Sequence, residues 1–359
     1  MILLWIGFLI FVALLLALDL GVFHRHAHVV STKEALSMSA VWIGFGLLFA
    51  VFIYFGYENH WLGLGSLPDP VDGIVNNGQA AAIKYVTGYI VEKSLSVDNI
   101  FVMAMVFAFF AVPSLYQHRV LFWGVIGALL LRGIMIVAGA ALIAEFHWIL
   151  YLFAIFLILT AAKMLFMETE NSNLESNVVV HLARRLFPIT THYHGEHFWV
   201  RAGSPASHES EIPGAPVVED VLVDRAKAGT LMLTPLALAL VVVETTDVIF
   251  AVDSIPAIFA ITGDPFLVFT SNVFALLGLR SLYFALAGMI QKFRYLKPAL
   301  AIILFVVGVK MLLASFLKPL LGDAFDFYLL GTIFVILGIA IAASMLHKVQ
   351  VEPSPSSRG

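Results

Sequence analysis

Residues 231–262 read LMLTPLALALVVVETTDVIFAVDSIPAIFAIT. Across these 32 residues the charged side chains are Glu244, Asp247 and Asp253, all of them acids. A helix needs about 20 apolar residues to cross the hydrocarbon of a bilayer, and this run is long enough. Each ionised carboxylate at mid-bilayer costs roughly 2.5–3.5 kcal/mol. The stretch therefore reads as a membrane helix carrying three expensive groups, and the rest of the molecule must make them tolerable.

Eight more runs of the same kind flank it, near 1–18, 37–56, 83–111, 119–143, 147–167, 265–290, 298–317 and 325–346. The chain has 359 residues, 61% of them hydrophobic and 12% charged. A soluble domain carries about twice that charged fraction. The fold class expected is all-α, a polytopic membrane protein of about nine transmembrane helices. The first run has no positively charged start and ends Leu18-Asp19-Leu20-Gly21, with no small-residue cleavage site, so it reads as a span and not a signal peptide. A net charge of -4 gives no reason to expect a nucleic-acid partner. With no cysteine, disulfides, thiolate ligands and thiol redox chemistry are absent, and any metal must be held by oxygen or imidazole.

Lys and Arg set the expected orientation. With the N-terminus outside, the inward segments hold thirteen basic residues, including Arg119, Arg184, Arg185, Arg201, Lys227 and Lys297, and the outward ones hold Lys84 and Lys318. The polar stretch 168–230 and the C-terminal tail are then cytoplasmic. The divisions expected are 1–82 (two helices), 83–167 (a first repeat), 168–230 (a connecting segment), 231–317 (a second repeat) and 318–359 (a last helix with a disordered tail).

The repeat rests on matched charges. Val97-Asp98-Asn99-Ile100, Leu131-Arg132 and Lys163-Met164-Leu165 correspond to Val252-Asp253-Ser254-Ile255, Leu279-Arg280 and Lys310-Met311-Leu312. Arg and Lys are 31 residues apart in one copy and 30 in the other, while Asp and Arg are 34 and 27 apart. An ungapped register would match Asp98 with Asp247 instead. The gapped one also matches Glu92 with Asp247, each six residues before an Asp. Three spans per copy is an odd number, so the copies enter the membrane from opposite sides, an architecture of secondary transporters with the binding site where the copies meet.

Five carboxylates fall within spans: Glu92, Asp98, Glu244, Asp247 and Asp253. The plain reading is internal pairing, because Lys93, Arg132, Lys163, Arg280 and Lys310 also lie within spans. Against it, the acids sit in two helices and the bases in five. Hydroxyls and an amide accompany the acids as well, with Ser94, Ser96 and Asn99 in one helix and Thr245, Thr246 and Ser254 in the other. Oxygen-rich clusters suit Mg²⁺, Ca²⁺ and Mn²⁺. Glu92, Ser96 and Asn99 share a helix face, and Glu244 and Asp247 are neighbours. Glu92 and Asp98, like Asp247 and Asp253, stand about 120° apart and about 9 Å along the axis. Either the acids form two stations along a path, or the helices break there, and Pro256 favours a break beside Asp253. Asp19 either guards the path or ends its helix. In the connecting segment, Thr191-His192-Tyr193-His194-Gly195-Glu196-His197 could bind a transition metal, but ordinary surface histidines are the favoured reading. No GxxxxGK phosphate loop and no HExxH is present, so neither ATP coupling nor metalloprotease chemistry is expected, and the chain does not read as an enzyme.

Three stretches carry a family resemblance: Leu18-Asp19-Leu20-Gly21-Val22-Phe23, Glu92-Lys93-Ser94-Leu95-Ser96-Val97-Asp98-Asn99, and Glu244-Thr245-Thr246-Asp247 followed by Phe250-Ala251-Val252-Asp253-Ser254-Ile255-Pro256. They resemble the TerC/Alx family of integral membrane proteins, as do His194-Gly195, Phe198-Trp199-Val200-Arg201 and Thr234-Pro235-Leu236 between the repeats. The family is named for tellurite resistance. The resemblance implies manganese export across the bacterial inner membrane, with Glu92, Asp98, Glu244, Asp247 and Asp253 as the metal-handling acids. Ser96, Asn99, Thr246 and Ser254 then support the site, and Asp19, Arg132, Arg280, Lys163 and Lys310 are gates or charge partners. Between Arg201 and Lys227 the segment is longer than the family's usual connection. The function expected is a secondary Mn²⁺ exporter with no permanently bound cofactor, in which the same carboxylates could exchange protons. The rival is a membrane scaffold of a stress-resistance complex whose acids are merely paired.

Overall fold

A computed structural model describes residues 2–21, 31–166, 178–208, 220–286, 295–321 and 324–346. The tail expected to be disordered lies outside the described residues, as does much of the Arg201–Lys227 stretch. The membrane helices are α1 (Ile2–Gly21), α2 (Thr32–Glu58), α3 (Gly78–Phe109), α4 (Ser114–Glu145) and α5 (Ile149–Phe166). The connecting segment follows with α6 (Val178–Leu186), β1 (Trp199–Arg201), α7 (Val221–Arg225) and β2 (Leu231–Leu233). Then come α8 (Pro235–Phe259), α9 (Pro265–Leu276), α10 (Leu279–Leu286), α11 (Leu296–Leu321) and α12 (Ala324–Leu346).

Local chemistry sets the helix starts. Ser31, Asn77, Thr234 and Asp264 each turn a side-chain oxygen onto an early N–H of the helix that follows, satisfying a donor that helix geometry orphans. Pro235 and Pro265 occupy first positions, where no N–H is needed. Among the described residues, seven helices are long and apolar enough to cross a membrane, and the count is eight if the bent pair α9 and α10 is one span. The ninth expected span, α3, has the length but carries Lys84, Glu92, Lys93 and Asp98. It packs against α2, α8 and α9 near the middle of the bundle.

The break expected at Pro256 is corrected. α8 runs unbroken past Pro256, which lies inside it only three residues before its end. The ring removes the hydrogen bond to the Val252 carbonyl and crowds it, but the helix accommodates this and continues to Phe259. The break falls instead between α9 and α10, a 41° bend at Gly278. Gly278 has φ of +80°, and a Cβ there would strike the Trp42 side chain, so the position requires glycine.

α3 packs on α8 and α5 on α11, while α3 meets α9 and α8 meets α4. Small residues bring backbones close, as is usual between membrane helices. A Cβ on Gly308 of α11 would lie 3.0 Å from the Ala154 carbonyl of α5. At one end of the bundle Asp69 ties the loop after α2 to the turn after α8. Its Oδ1 accepts from the Gly263 N–H at 2.7 Å, and its Oδ2 accepts from Lys84 Nζ at 3.0 Å and from the Thr262 hydroxyl. At the other end β1 and β2 pair antiparallel, Val200 opposite Met232. These two residues, with Ala202 and Val223, form a small separate core. Tyr193 donates to the Phe110 carbonyl at 2.7 Å, and Arg119 pairs with Glu196, so this segment is docked onto the α3–α4 turn.

Candidate metal centre

Four helices meet at Arg132 of α4. Its Nε and Nη2 hold the Asp247 carboxylate of α8 as a fork, at 3.1 and 2.9 Å. Its Nη1 donates to Glu92 of α3. From the same nitrogen, longer contacts of 3.3 and 3.4 Å reach Ser254 Oγ on α8 and Asn272 Oδ1 on α9. Arg132, Glu92 and Asp247 are buried. Asn99 donates to Asp247 Oδ1 at 3.3 Å. Glu244, one turn before Asp247, lies on Gly127 of α4, where an added Cβ would meet the Glu244 carboxyl group before anything else. Glu92 Oε2 and Glu244 Oε2 are buried without a hydrogen-bond partner. Two acids thus share one guanidinium, and a third, Glu244, stands beside Asp247.

The hydroxyls nearby have committed their protons. Ser96 donates to the Glu92 carbonyl at 2.8 Å and Thr246 to the Val242 carbonyl at 2.7 Å, each within its own helix. Their oxygens keep lone pairs free to accept from an ion or water. A small cleft lined by Asn99, Met103, Val106, Val243, Thr246 and Asp247 opens between the C-terminal half of α3 and the N-terminal half of α8. Val106 and Val243 belong to the apolar cluster that includes Val180, Tyr193 and Phe198, so the cleft lies toward the connecting segment.

The other two acids stand apart. Asp98 faces the charge of Lys297 at the start of α11. Asp253 accepts from Thr160 of α5 at 3.3 Å and faces the charge of Lys163. The two look to different helices, Asp98 to α11 and Asp253 to α5. Among the described residues, no three of His, Asp and Glu stand close enough to grip one ion. The five acids therefore divide into a cluster of three and two outlying stations.

The expected charge partners fare variously. Arg280 pairs with Asp19 at 2.8 Å, so Asp19 joins α1 to α10. Lys310 reaches the Asp326 carboxylate and the Ala260 carbonyl, both at 3.3 Å, away from the cluster. Lys93 donates to the carbonyls of Ala275 and Leu277, at 3.0 and 3.4 Å, placing positive charge at the C-terminal end of α9. Asn272, Gly127 and Thr160 were not singled out by sequence reasoning. For Asn272 a signal exists in the polar triplet Thr270-Ser271-Asn272 within an apolar span; for Gly127 there is none.

The surface reading of the histidine loop is corrected for His194. It is buried, with Nε2 3.7 Å from Asp220 Oδ2. Burial would push the Asp220 carboxyl up, but N–H donors from Thr191, His192 and Leu222 outweigh it and hold the group below the usual carboxylate range. This corner fastens the connecting segment to itself.

Known proteins place the chain. The family described as Integral membrane protein TerC family matches residues 77–352. An uncharacterised membrane protein of Myxococcus xanthus is 44% identical over 347 residues, covering 96% of this chain and 92% of that one. A protein of Escherichia coli (strain K12) carrying the name membrane-bound redox modulator Alx is 43% identical over 316 residues, covering 88% and 87%. An uncharacterised membrane protein of Rickettsia bellii is 34% identical over 345 residues, covering 96% and 97%. No solved structure matches significantly.

Proposed function

Because the chain belongs to the TerC family of integral membrane proteins, we propose that it exports a hard divalent cation, manganese(II) first, from the cytoplasm through the acid cluster at Asp247. The observation that carries this reading is the imbalance of charge: Glu92 and Asp247 share the Arg132 guanidinium, Glu244 adds a third carboxyl beside Asp247, and Glu92 Oε2 and Glu244 Oε2 are buried without a hydrogen-bond partner. A buried carboxylate oxygen left bare is costly unless a proton or a cation reaches it. A divalent ion supplies the missing charge, and proton exchange through the same carboxylates supplies it when the ion has gone. The donors are all oxygens, which suits Mn²⁺, Mg²⁺ or Ca²⁺, and the family resemblance favours manganese.

In this reading the N-terminus is outside, the 168–230 segment and the C-terminus are cytoplasmic, and the membrane is the bacterial inner membrane. The cleft to Asp247 then opens toward the cytoplasm, where an exporter must load. The chain is a carrier and not an enzyme, needs no resident cofactor, and has the ion and the lipid as its partners. The Alx relatives are named for redox modulation; moving manganese offers an effect of that kind without a thiol.

One observation favours the scaffold reading: Arg132 pairs directly with two of the acids. Inside-out vesicles holding the purified protein separate the two. Mn²⁺ uptake that saturates, and that vanishes in Asp247→Asn, is the expected result. Vesicles as tight to Mn²⁺ as protein-free ones would overturn the transport reading.

A further inference from the structure

Resting on that reading, we propose that Arg132 is a tethered cation: it fills the acid cluster between transport rounds and yields the carboxylates to the arriving divalent ion. The same guanidinium contacts read at first as a strut. Three features of the geometry say more. Arg132 spans both copies, touching α3 from the first and α8 and α9 from the second. Its Nη1 also lies 3.3 and 3.4 Å from Ser254 Oγ and Asn272 Oδ1, acceptors outside the acid cluster toward which it can shift. And the cleft that reaches Asp247 is lined by Asn99 and Thr246 and not by Ser254 or Asn272. An ion entering by the cleft meets Asp247, the carboxylate that Arg132 forks. The guanidinium can shift toward Ser254 and Asn272 without losing every acceptor.

The physical need is release. Buried carboxylates in a medium of low dielectric hold a divalent cation firmly, and conduction requires a site that is also left easily. A positive charge fixed to α4 competes with the ion at close range and cannot diffuse away. It weakens the bound state and refills the site as the ion departs, so the empty carrier reorients without naked carboxylates in the bilayer.

Arg132 is a positioning residue, and the test must show something a strut would not. Mn²⁺ binding to the purified full chain in detergent is measured by calorimetry, beside uptake into vesicles. Arg132→Gln is expected to bind Mn²⁺ roughly tenfold tighter or more, the ratio expected when a competing charge worth about 1.4 kcal/mol is removed, and to move it more slowly. Arg132→Lys, which keeps the charge but loses the fork, is expected to fall between that variant and wild type. Binding equal to wild type or weaker in the folded variants overturns the inference and leaves transport standing. If Arg132→Gln does not fold without metal, Arg132→Lys decides alone: tighter binding supports the tethered cation, equal or weaker binding overturns it. A wild-type protein that neither binds nor moves Mn²⁺ removes both readings together.

Discussion

Gly127 shows how closely the acid cluster is fitted. A Cβ on that residue would fall on the Glu244 carboxyl group. Gly127→Ala must therefore displace a flexible side-chain tip and not a backbone, an overpacking worth about 1 kcal/mol at the low end of such changes. We expect the variant to fold, with a thermal midpoint only a few degrees lower, and to lose most of its Mn²⁺ uptake because Glu244 no longer points at the cluster. Uptake equal to wild type would detach Glu244 from the site. Asp98→Asn and Asp253→Asn are expected to slow uptake while leaving the amount of membrane protein unchanged. Each removes the charge of an outlying acid that faces Lys297 or Lys163 and does not break the Arg132 fork. Uptake at the wild-type rate in both would leave the outlying acids without a part in transport. At this scale the sequence was legible in part. Carboxylates in apolar runs announce themselves, and Glu92, Glu244, Asp247 and Arg132 were all found. Which acids meet was not legible, because helix period orders residues around one axis and says nothing of how two axes are turned toward each other.

Helices were read from runs of apolar residues, and each expected run contains one. The breaks were not. Proline is the loudest signal for a break, yet Pro256 sits where α8 is about to end anyway. The real bend needs a left-handed residue and the close approach of Trp42 to Gly278, and the second of these is a tertiary fact. A non-glycine residue held in that backbone region costs about 1 kcal/mol, and a forced overlap adds about 1–3 kcal/mol. Gly278→Ala should therefore lower the thermal midpoint of the detergent-solubilised protein clearly, while Pro256→Ala should leave it nearly unchanged; the reverse order would place the strain at Pro256. The connecting segment carries its own expectation. The Asp220 carboxyl is held below its usual range by burial outweighed by three N–H donors, so it loses protons more readily folded than unfolded. A depressed pKa stabilises above the unfolded value near 4 and ceases to do so as pH falls through the folded value. Asp220→Ala should thus raise the protease sensitivity of this segment at pH 7, and the gap to wild type should narrow below about pH 4. A gap unchanged with pH would mean the carboxylate's charge is not what fastens it.

For the molecule as a whole, two sources of information answer different halves of one question. Hydrogen bonds decide which connections share a side of the membrane. Asp69 joins the loop after α2 to Gly263 in the turn after α8, so those two lie together. Tyr193 bonds to Phe110, and Arg119 pairs with Glu196, so the turn after α3 lies with the connecting segment on the opposite side. Charge then gives the side expected to be the cytoplasm in the orientation we propose. The connecting segment carries Arg184, Arg185, Arg201, Arg225 and Lys227, and the Gly263 turn carries no Lys or Arg. The positive-inside rule puts the first within and the second without. The sequence could supply the second half unaided, since it needs only counting along the chain, but the first half needs contacts between residues as distant as 69 and 263. A reporter active only outside the cytoplasm should therefore signal when fused after Gly263 and be silent after Lys227, and a reporter that fluoresces only inside should do the opposite. The same orientation points the Asp247 cleft at the cytoplasm, so the fusions also test the direction of loading. Signals reversed at both positions would turn the molecule over and make the cleft an entry from outside; equal signals at the two would break the alternation of spans on which the inverted copies depend.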